Sequence, residues 1–176
     1  MSDLKTLSLN CRGLQGIKKR LQVFQHIKET KCDIYCLQDT HFLKKQFNTI
    51  YTQWNAECFL SCSTSNSRGV AILFSKSIEY KIYKNIVDDN GNYVILDLSV
   101  GEIRFTLVSL YGPNSDNPSF YETIFKIIEN IGNDCFCICG DFNLVQDPSL
   151  DYFNYKNINN KLAFETHGRK MFNRPI

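Results

Sequence analysis

The sequence has no apolar run approaching the ~20 residues that a membrane-spanning helix requires. Its first ten residues, Met1–Asn10, lack the basic-then-apolar pattern of a secretory leader. Membrane insertion and secretion are therefore not expected, and the expected location is intracellular. No internal repeat and no low-complexity stretch occurs, and 176 residues suit one domain, with or without a tail. No C-x-x-C pair exists among the eight cysteines, which argues against a zinc site or a disulfide framework. Strong charge of one sign is also missing. The formal net charge of +2 excludes a strongly basic nucleic-acid binder but leaves room for a local basic groove.

What is present is an ordinary globular composition, 43% hydrophobic and 22% charged, which excludes wholesale disorder. Charge is uneven along the chain. Residues 1–50 carry 9 basic and 4 acidic side chains, residues 51–150 carry 6 and 12, and residues 151–176 carry 5 and 2. The two ends favour a polyanion, while the middle supplies carboxylates. Cys135, Cys137 and Cys139 alternate with Phe136 and Ile138, so a strand places their sulfurs in a row on one face. With no leader, the cysteines read as reduced, mostly buried thiols.

Periodicity organises the rest. Leu4–Asn10 alternates and predicts a strand. Ile17, Leu21, Phe24 and Ile27 predict a helix over 17–30, with Lys18, Lys19 and Arg20 outside. Residues 33–38 predict a second strand, giving a βαβ-like start. Residues 44–54 are ambiguous, with a short helix as one reading. Strands are predicted over 56–62, 69–75 and 78–86. A hairpin over 93–100 and 103–110 closes at Gly101-Glu102. Ser119 is the expected cap of a helix striped by Phe120, Ile124, Ile127 and Ile131. Residues 134–139 predict a buried strand that runs into Gly140-Asp141-Phe142-Asn143. The pattern fades after Leu144. The expected organisation is a domain over 1–150 and a poorly ordered tail over 151–176.

Four predicted strands end in chemically useful groups. They are Asn10, then Gln38-Asp39-Thr40-His41, then Tyr111-Gly112-Pro113-Asn114, and finally Gly140-Asp141-Phe142-Asn143. In α/β folds such groups converge at strand carboxyl ends. Asp39 and Asp141 are hard oxygen donors suited to Mg²⁺, and the set suits metal-assisted phosphoester hydrolysis. Each also has a plainer reading. Asn10 can make an Asx-turn, Asp39 can cap the next segment, Tyr111 can be a boundary aromatic, and Gly140-Asp141 can be a turn. His26 and His41 read as surface or supporting groups rather than ligands.

The blocks Leu9–Leu14, Leu37–His41, Arg68–Leu73, Tyr111–Asn114 and Gly140–Asn143 stand in the order seen in the endonuclease/exonuclease/phosphatase superfamily. More narrowly, they resemble the apurinic-like endonuclease domain of LINE-type non-LTR retrotransposons, across about residues 4–160. The resemblance implies a DNase I-like, four-layer α/β/β/α sandwich with outer helices. It implies Mg²⁺ (or Mn²⁺) and a DNA substrate, nuclear action, and nicking that leaves a 3′-hydroxyl. On this resemblance Asp39 is the main metal ligand and Asn10 helps hold metal and phosphate. Tyr111 orients the scissile phosphate, Asp141 activates water, and Asn143 orients both. Asn114 and Arg68 touch the DNA backbone.

Two departures qualify that expectation. Asp39 stands where the family carries glutamate. The family's closing Ser-Asp-His block does not occur, and His167 in Glu165-Thr166-His167-Gly168 does not supply it. The sandwich is therefore expected to be incomplete, its final strands missing, as in a C-terminally truncated element whose reverse transcriptase domain is absent. Cleavage is expected to be weak or absent. The rival readings are a non-catalytic remnant that binds DNA or metal only, and a superfamily phosphatase.

Overall fold

The computed structural model describes residues 3–63, 67–115 and 117–144. The expected tail over 151–176, and His167 within it, lie outside the described residues.

Within the described residues, the strands of one sheet precede those of the other. Strand β1 (Thr6–Asn10) leads into helix α1 (Ile17–Glu29) and strand β2 (Ile34–Gln38). A 3-10 turn, Lys44–Gln46, runs into α2 (Phe47–Trp54), followed by β3 (Cys58–Ser61) and β4 (Val70–Phe74). These four strands form a sheet in the order β1-β2-β4-β3. Strands β5 (Tyr80–Val87), β6 (Tyr93–Val100) and β7 (Ile103–Tyr111), helix α3 (Pro118–Ile131) and strand β8 (Phe136–Asp141) follow. They form the second sheet in the order β5-β6-β7-β8. Helices α1 and α3 are the crossovers that make β1–β2 and β7–β8 parallel, and the other pairings are antiparallel.

Three apolar clusters glue four layers together. Phe24, Ile27, Tyr35, Leu37, Ile50, Trp54 and Leu73 join α1 and α2 to the first sheet. Ile34, Cys36, Ile72, Phe74, Leu96, Leu98 and Leu107 fill the space between the sheets. Ile95, Val108, Leu110, Ile124 and Ile128 seat α3 on the second sheet. Alternation along each strand makes this possible, because Tyr35 and Leu37 face the helices while Ile34 and Cys36 face the other sheet. The fold is the expected DNase I-like α/β/β/α sandwich. None of the helices of the described residues is long and apolar enough to cross a membrane.

Several local expectations are corrected. Helix α1 is rotated from its predicted face: Ile17 is 59% exposed, whereas Arg20 is 1% exposed. The Arg20 guanidinium turns inward because the loop before α1 offers acceptors. Nη1 donates to the carbonyls of Leu14 and Gln15, each at 2.9 Å, and Nε donates to Gln53 Oε1 at 2.7 Å. Helix α3 is capped by Asn117 rather than Ser119. Asn117 Oδ1 accepts from Phe120 N at 3.3 Å, and Pro118 takes the first helical position. Residues 44–54 resolve into a 3-10 turn and a helix. Strand β8 is not buried: Phe136 is 51% exposed, and Cys135 and Cys137 are exposed as well. Among the described strands, β8 is an edge of its sheet.

Candidate active site

The polar strand ends meet because of register. Asn10 lies beside Gln38 in the β1–β2 pair, and Gln38 lies opposite Val70 at the start of β4. Tyr111 lies beside Asp141 in the β7–β8 pair. Both parallel pairs therefore deliver their carboxyl ends to the same end of the sandwich, one pair per sheet.

A side-chain hydrogen bond closes the gap between the sheets. Asn10 Nδ2 donates to Asp141 Oδ2 at 2.6 Å, linking residues 131 apart in sequence. Asp141 Oδ1 accepts from Asn143 N at 3.1 Å, so both carboxylate oxygens have donors. Asn143 Nδ2 donates to the Gly112 carbonyl at 2.7 Å, and Gly112 N donates to the Asp141 carbonyl at 2.7 Å. Two glycines permit this closeness. A Cβ on Gly140 would lie 2.0 Å from the Leu110 carbonyl oxygen, and one on Gly112 would lie 2.2 Å from the Phe142 carbonyl oxygen. Tyr121 of α3 donates its hydroxyl to that Phe142 carbonyl.

On the first sheet's side, Asp39 leaves β2 in the left-handed region (φ 52°), as do Arg12, His41 and Arg68 nearby and Asn143 across the cleft. Among the described residues, five of the seven non-glycine residues with positive φ thus belong to these loops. That concentration marks backbone held by its surroundings rather than by local preference. The holding bonds are explicit. Gly13 N donates to the Asp39 carbonyl at 2.7 Å, Thr40 N to that of Gly69 at 3.0 Å, and His41 N to that of Arg68 at 2.7 Å. Lys19 reaches back from α1 to the carbonyls of Cys11 at 2.8 Å and Arg12 at 2.7 Å. Burial pushes the Cys11 thiol up to about 12; nearby Lys19 opposes the shift and Asp39 adds to it.

His41 Nε2 lies 2.9 Å from Asp39 Oδ1 and occupies one of its oxygens. Asn10 Oδ1 accepts from Arg12 N at 3.1 Å, so the Asx-turn reading holds alongside the cross-sheet bond. Tyr111 packs its ring against the inter-sheet core. Arg68 and Asn114 stand exposed on loops at this end and make no side-chain hydrogen bond among the described residues.

Two further residues support the site: Gln38, from the polar block that ends β2, and Ser109, which the sequence did not single out. Gln38 is buried between the sheets, donating through Nε2 to Ser109 Oγ at 3.2 Å and accepting from Ser8 Oγ at 3.3 Å. Its signal was a carboxamide ending an otherwise apolar strand. Ser109, in the apolar run of β7, carried the same kind of signal.

For a divalent cation the protein donors are few. No group of three or more His, Cys, Asp or Glu able to hold a metal occurs among the described residues. Asp39 offers a carboxylate with one oxygen outside the His41 contact, and Asn10 offers a carboxamide oxygen. That sparse oxygen set fits Mg²⁺, which keeps several waters and takes one or two protein oxygens. It does not fit zinc.

Residues 7–161 match the Endonuclease/Exonuclease/phosphatase family. An exodeoxyribonuclease of Bacillus subtilis (strain 168) is 25% identical over 97% of this chain and 70% of its own length. Two solved structures share the fold. The endonuclease domain of TRAS1, a telomere-specific non-LTR retrotransposon, matches with a TM-score of 0.59 at 17% identity. The AP endonuclease LMAP from Leishmania major matches with a TM-score of 0.66 at 17% identity. The alignments cover 80% and 95% of this chain, which spans 61% of the first structure and 63% of the second.

Proposed function

The chain belongs to the endonuclease/exonuclease/phosphatase family, and from that premise we propose that it is a Mg²⁺-dependent DNA nicking domain of the retrotransposon type. The observation that carries the reading is the Asn10–Asp141 bond, which unites two sheets at a cluster of phosphoester-handling side chains.

In this reading Asp141 is the base. Its two oxygens are fixed by Asn10 and Asn143, and it takes a proton from the water that attacks phosphorus. The P–O bond to the 3′-oxygen breaks, and that oxygen takes a proton from solvent, leaving a 3′-hydroxyl and a 5′-phosphate. Asn143 and the Tyr111 hydroxyl orient the scissile phosphate. Arg68 and Asn114 hold the flanking backbone, which contributes affinity without reading sequence. Mg²⁺ held by Asp39 and Asn10 would neutralise charge on the phosphoryl oxygens. His41 fixes the rotamer of Asp39 from behind.

One feature slows the reaction on the same reading. Asp39 is one methylene shorter than the family's glutamate, which sets the oxygen it offers the cation back by one C–C bond, so nicking slower than that of a relative with glutamate there is expected. A non-catalytic remnant is the second reading. It is favoured by the self-pairing of the polar groups, Asp39 with His41 and Asp141 with Asn10. A superfamily phosphatase is the weakest reading, because the Asn10–Leu14 and Arg68–Leu73 blocks resemble retroelement nucleases.

Plasmid nicking with Mg²⁺, comparing the chain with Asp39→Glu and Asp141→Ala, separates these readings. Slow nicking that is abolished by Asp141→Ala and raised by Asp39→Glu supports the nuclease. No nicking from any of the three leaves the remnant. Nicking at an intact relative's rate refutes the weakened-enzyme part of the reading.

A further inference from the structure

At the opposite end of the first sheet lies a cavity of about 530 Å³. It is bounded by the end of α1 (Lys28), the turn into β2 (Lys31, Cys32), the end of α2 (Trp54, Asn55) and the segment leaving β4 (Phe74–Ser77). From Asp33 to Asp39, strand β2 separates it from the candidate active site by roughly 20 Å at ~3.3 Å per residue. A phosphodiester at the active site does not occupy it.

Its lining is unusual in charge. Three lysines, Lys28, Lys31 and Lys76, line it and no carboxylate does. Three acidic residues lie one position from the lining, and each is engaged elsewhere: Asp33 accepts from Lys5 N at 2.9 Å, Glu29 from Gln25 Nε2 at 3.4 Å, and Glu57 from the Tyr80 hydroxyl. Two helices end here, and their carbonyl ends would oppose an anion. Those carbonyls are already served. Lys28 Nζ donates to the Trp54 carbonyl at 2.9 Å and lies 4.6 Å over the Trp54 ring. Thr30 N and Oγ1 donate to the Ile27 carbonyl, and Asn55 N donates to that of Tyr51 at 2.8 Å. Lys31 and Lys76 have no such task, and neither has an ion pair among the described residues. Lys76 adds to the burial that lowers the pKa of Lys28 below its ordinary value. Excess positive charge therefore faces a floor in which Trp54, Tyr35 and Phe74 are buried and Ala56 is half-buried.

We propose that this cavity binds a nucleoside phosphate. The phosphate is held by Lys31 and Lys76 together with the hydroxyls of Ser75 and Ser77, and the nucleoside lies over the exposed Asn55 and the half-buried Ala56. Ser75 and Ser77 share one hydroxyl proton at 2.7 Å, which leaves the other hydroxyl free to donate to a phosphate oxygen. The volume selects the class. It falls within the range of small-molecule sites and well exceeds a bare phosphate. A free nucleotide and the 5′-phosphorylated end of a strand present the same chemistry.

Trp54 is the only tryptophan of the chain, so its fluorescence reports on this cavity directly. The full chain, kept in EDTA to silence metal at the active site, is titrated with dAMP, with inorganic phosphate, and with a single-stranded oligonucleotide bearing or lacking a 5′-phosphate. The expected result is saturable quenching by dAMP, weaker binding of phosphate, and at least ~10-fold loss of dAMP affinity in the Lys31→Glu/Lys76→Glu variant. Asp141→Ala should bind as the unmodified chain does. Response to the 5′-phosphorylated oligonucleotide as well as to dAMP identifies strand ends as a source, and response to dAMP alone identifies the free nucleotide. The proposal is overturned if dAMP changes neither fluorescence nor dialysis equilibrium at millimolar concentration. It is equally overturned if binding survives the double lysine variant but is lost in Asp141→Ala. Because no cleavage is measured, failure here leaves the nuclease reading untouched.

Discussion

The two sheets are built to the same plan and held to different depths. Among the described residues, the first has central strands β2 and β4 buried at every position, one edge strand, β1, partly exposed and the other, β3, largely buried, with two helices on its outer face. The second has largely buried central strands β6 and β7, but one helix on its outer face and both edge strands, β5 and β8, substantially exposed along their length. Each sheet nonetheless contributes half of the candidate site, Asn10 and Asp39 from one and Tyr111, Asp141 and Asn143 from the other. The site therefore depends on the looser half for its base and on the tighter half for its cation ligands.

The largest difference should appear on truncating the anchor of each half. Trp54 is 2% exposed, meets Phe24 and Tyr35 edge-on at ring distances of 5.2 Å each, and donates Nε1 to the Phe74 carbonyl at 2.8 Å. Trp54→Ala should cost about 4–5 kcal/mol, read as a lowered urea midpoint. Ile124→Ala, on the buried face of α3, should cost about 2–3 kcal/mol, since a smaller side chain is removed. Equal losses would mean that the halves are equally anchored and the contrast is false.

A smaller, pH-dependent effect belongs to the second sheet. The buried Asp97 accepts two bonds from Arg104, at 2.9 and 2.6 Å, and one from Asn133 Nδ2 at 2.9 Å. Asn133 also donates to Thr106, so this carboxylate fastens the α3–β8 connection. The Arg104 bonds first, then Asn133, hold its carboxyl below the ordinary value, against burial that acts the other way. A depressed carboxyl pKa stabilises the fold above the unfolded value, near ~3.9, and that contribution fades as pH falls through the folded value. Asp97→Asn should therefore cost about 1–3 kcal/mol at neutral pH. The cost should shrink below about pH 4, as paired melts across pH would record. A cost independent of pH would remove the charge from this account.

The mildest test perturbs nothing. In the native chain a thiol reagent should modify Cys135 and Cys137 first, then Cys32, while Cys11, Cys36, Cys58 and Cys62 wait for unfolding. Burial drives Cys58 up to about 11, reinforcing its inertness. Mass spectrometry of partial labelling checks the order.

The succession of strands and helices along the chain was legible because alternation and 3.6-residue spacing report directly on burial, whereas the order of strands within each sheet was not. Where the sequence misled, a tertiary partner had overridden local hydrophobicity. Arg20 went inside because carbonyls and Gln53 waited there, and Ile17 came out in exchange. Asn117 rather than Ser119 capped α3, a choice that Pro118 signals by forcing its predecessor out of the helical region. Strand β8 carries an apolar sequence yet is exposed, because exposure of an edge depends on what lies beside it, which no local pattern encodes. The site's polar residues were visible as strand terminators. Their pairing, Asn10 with Asp141 and His41 with Asp39, was not, since it depends on register between distant strands.

The partition of the chain into two successive sheets has a kinetic consequence. Among the described residues, 6–74 contain the strands of the first sheet and 80–141 those of the second, joined by the short link from Ser75 to Glu79. Loop closures within each half are comparatively local, while the Asn10–Asp141 contact joins residues 131 apart. On synthesis, the described strands of the first sheet are complete before the second has begun to emerge. The cleft is then the last feature to be assembled, so partly folded chains would carry both halves of the site and join neither.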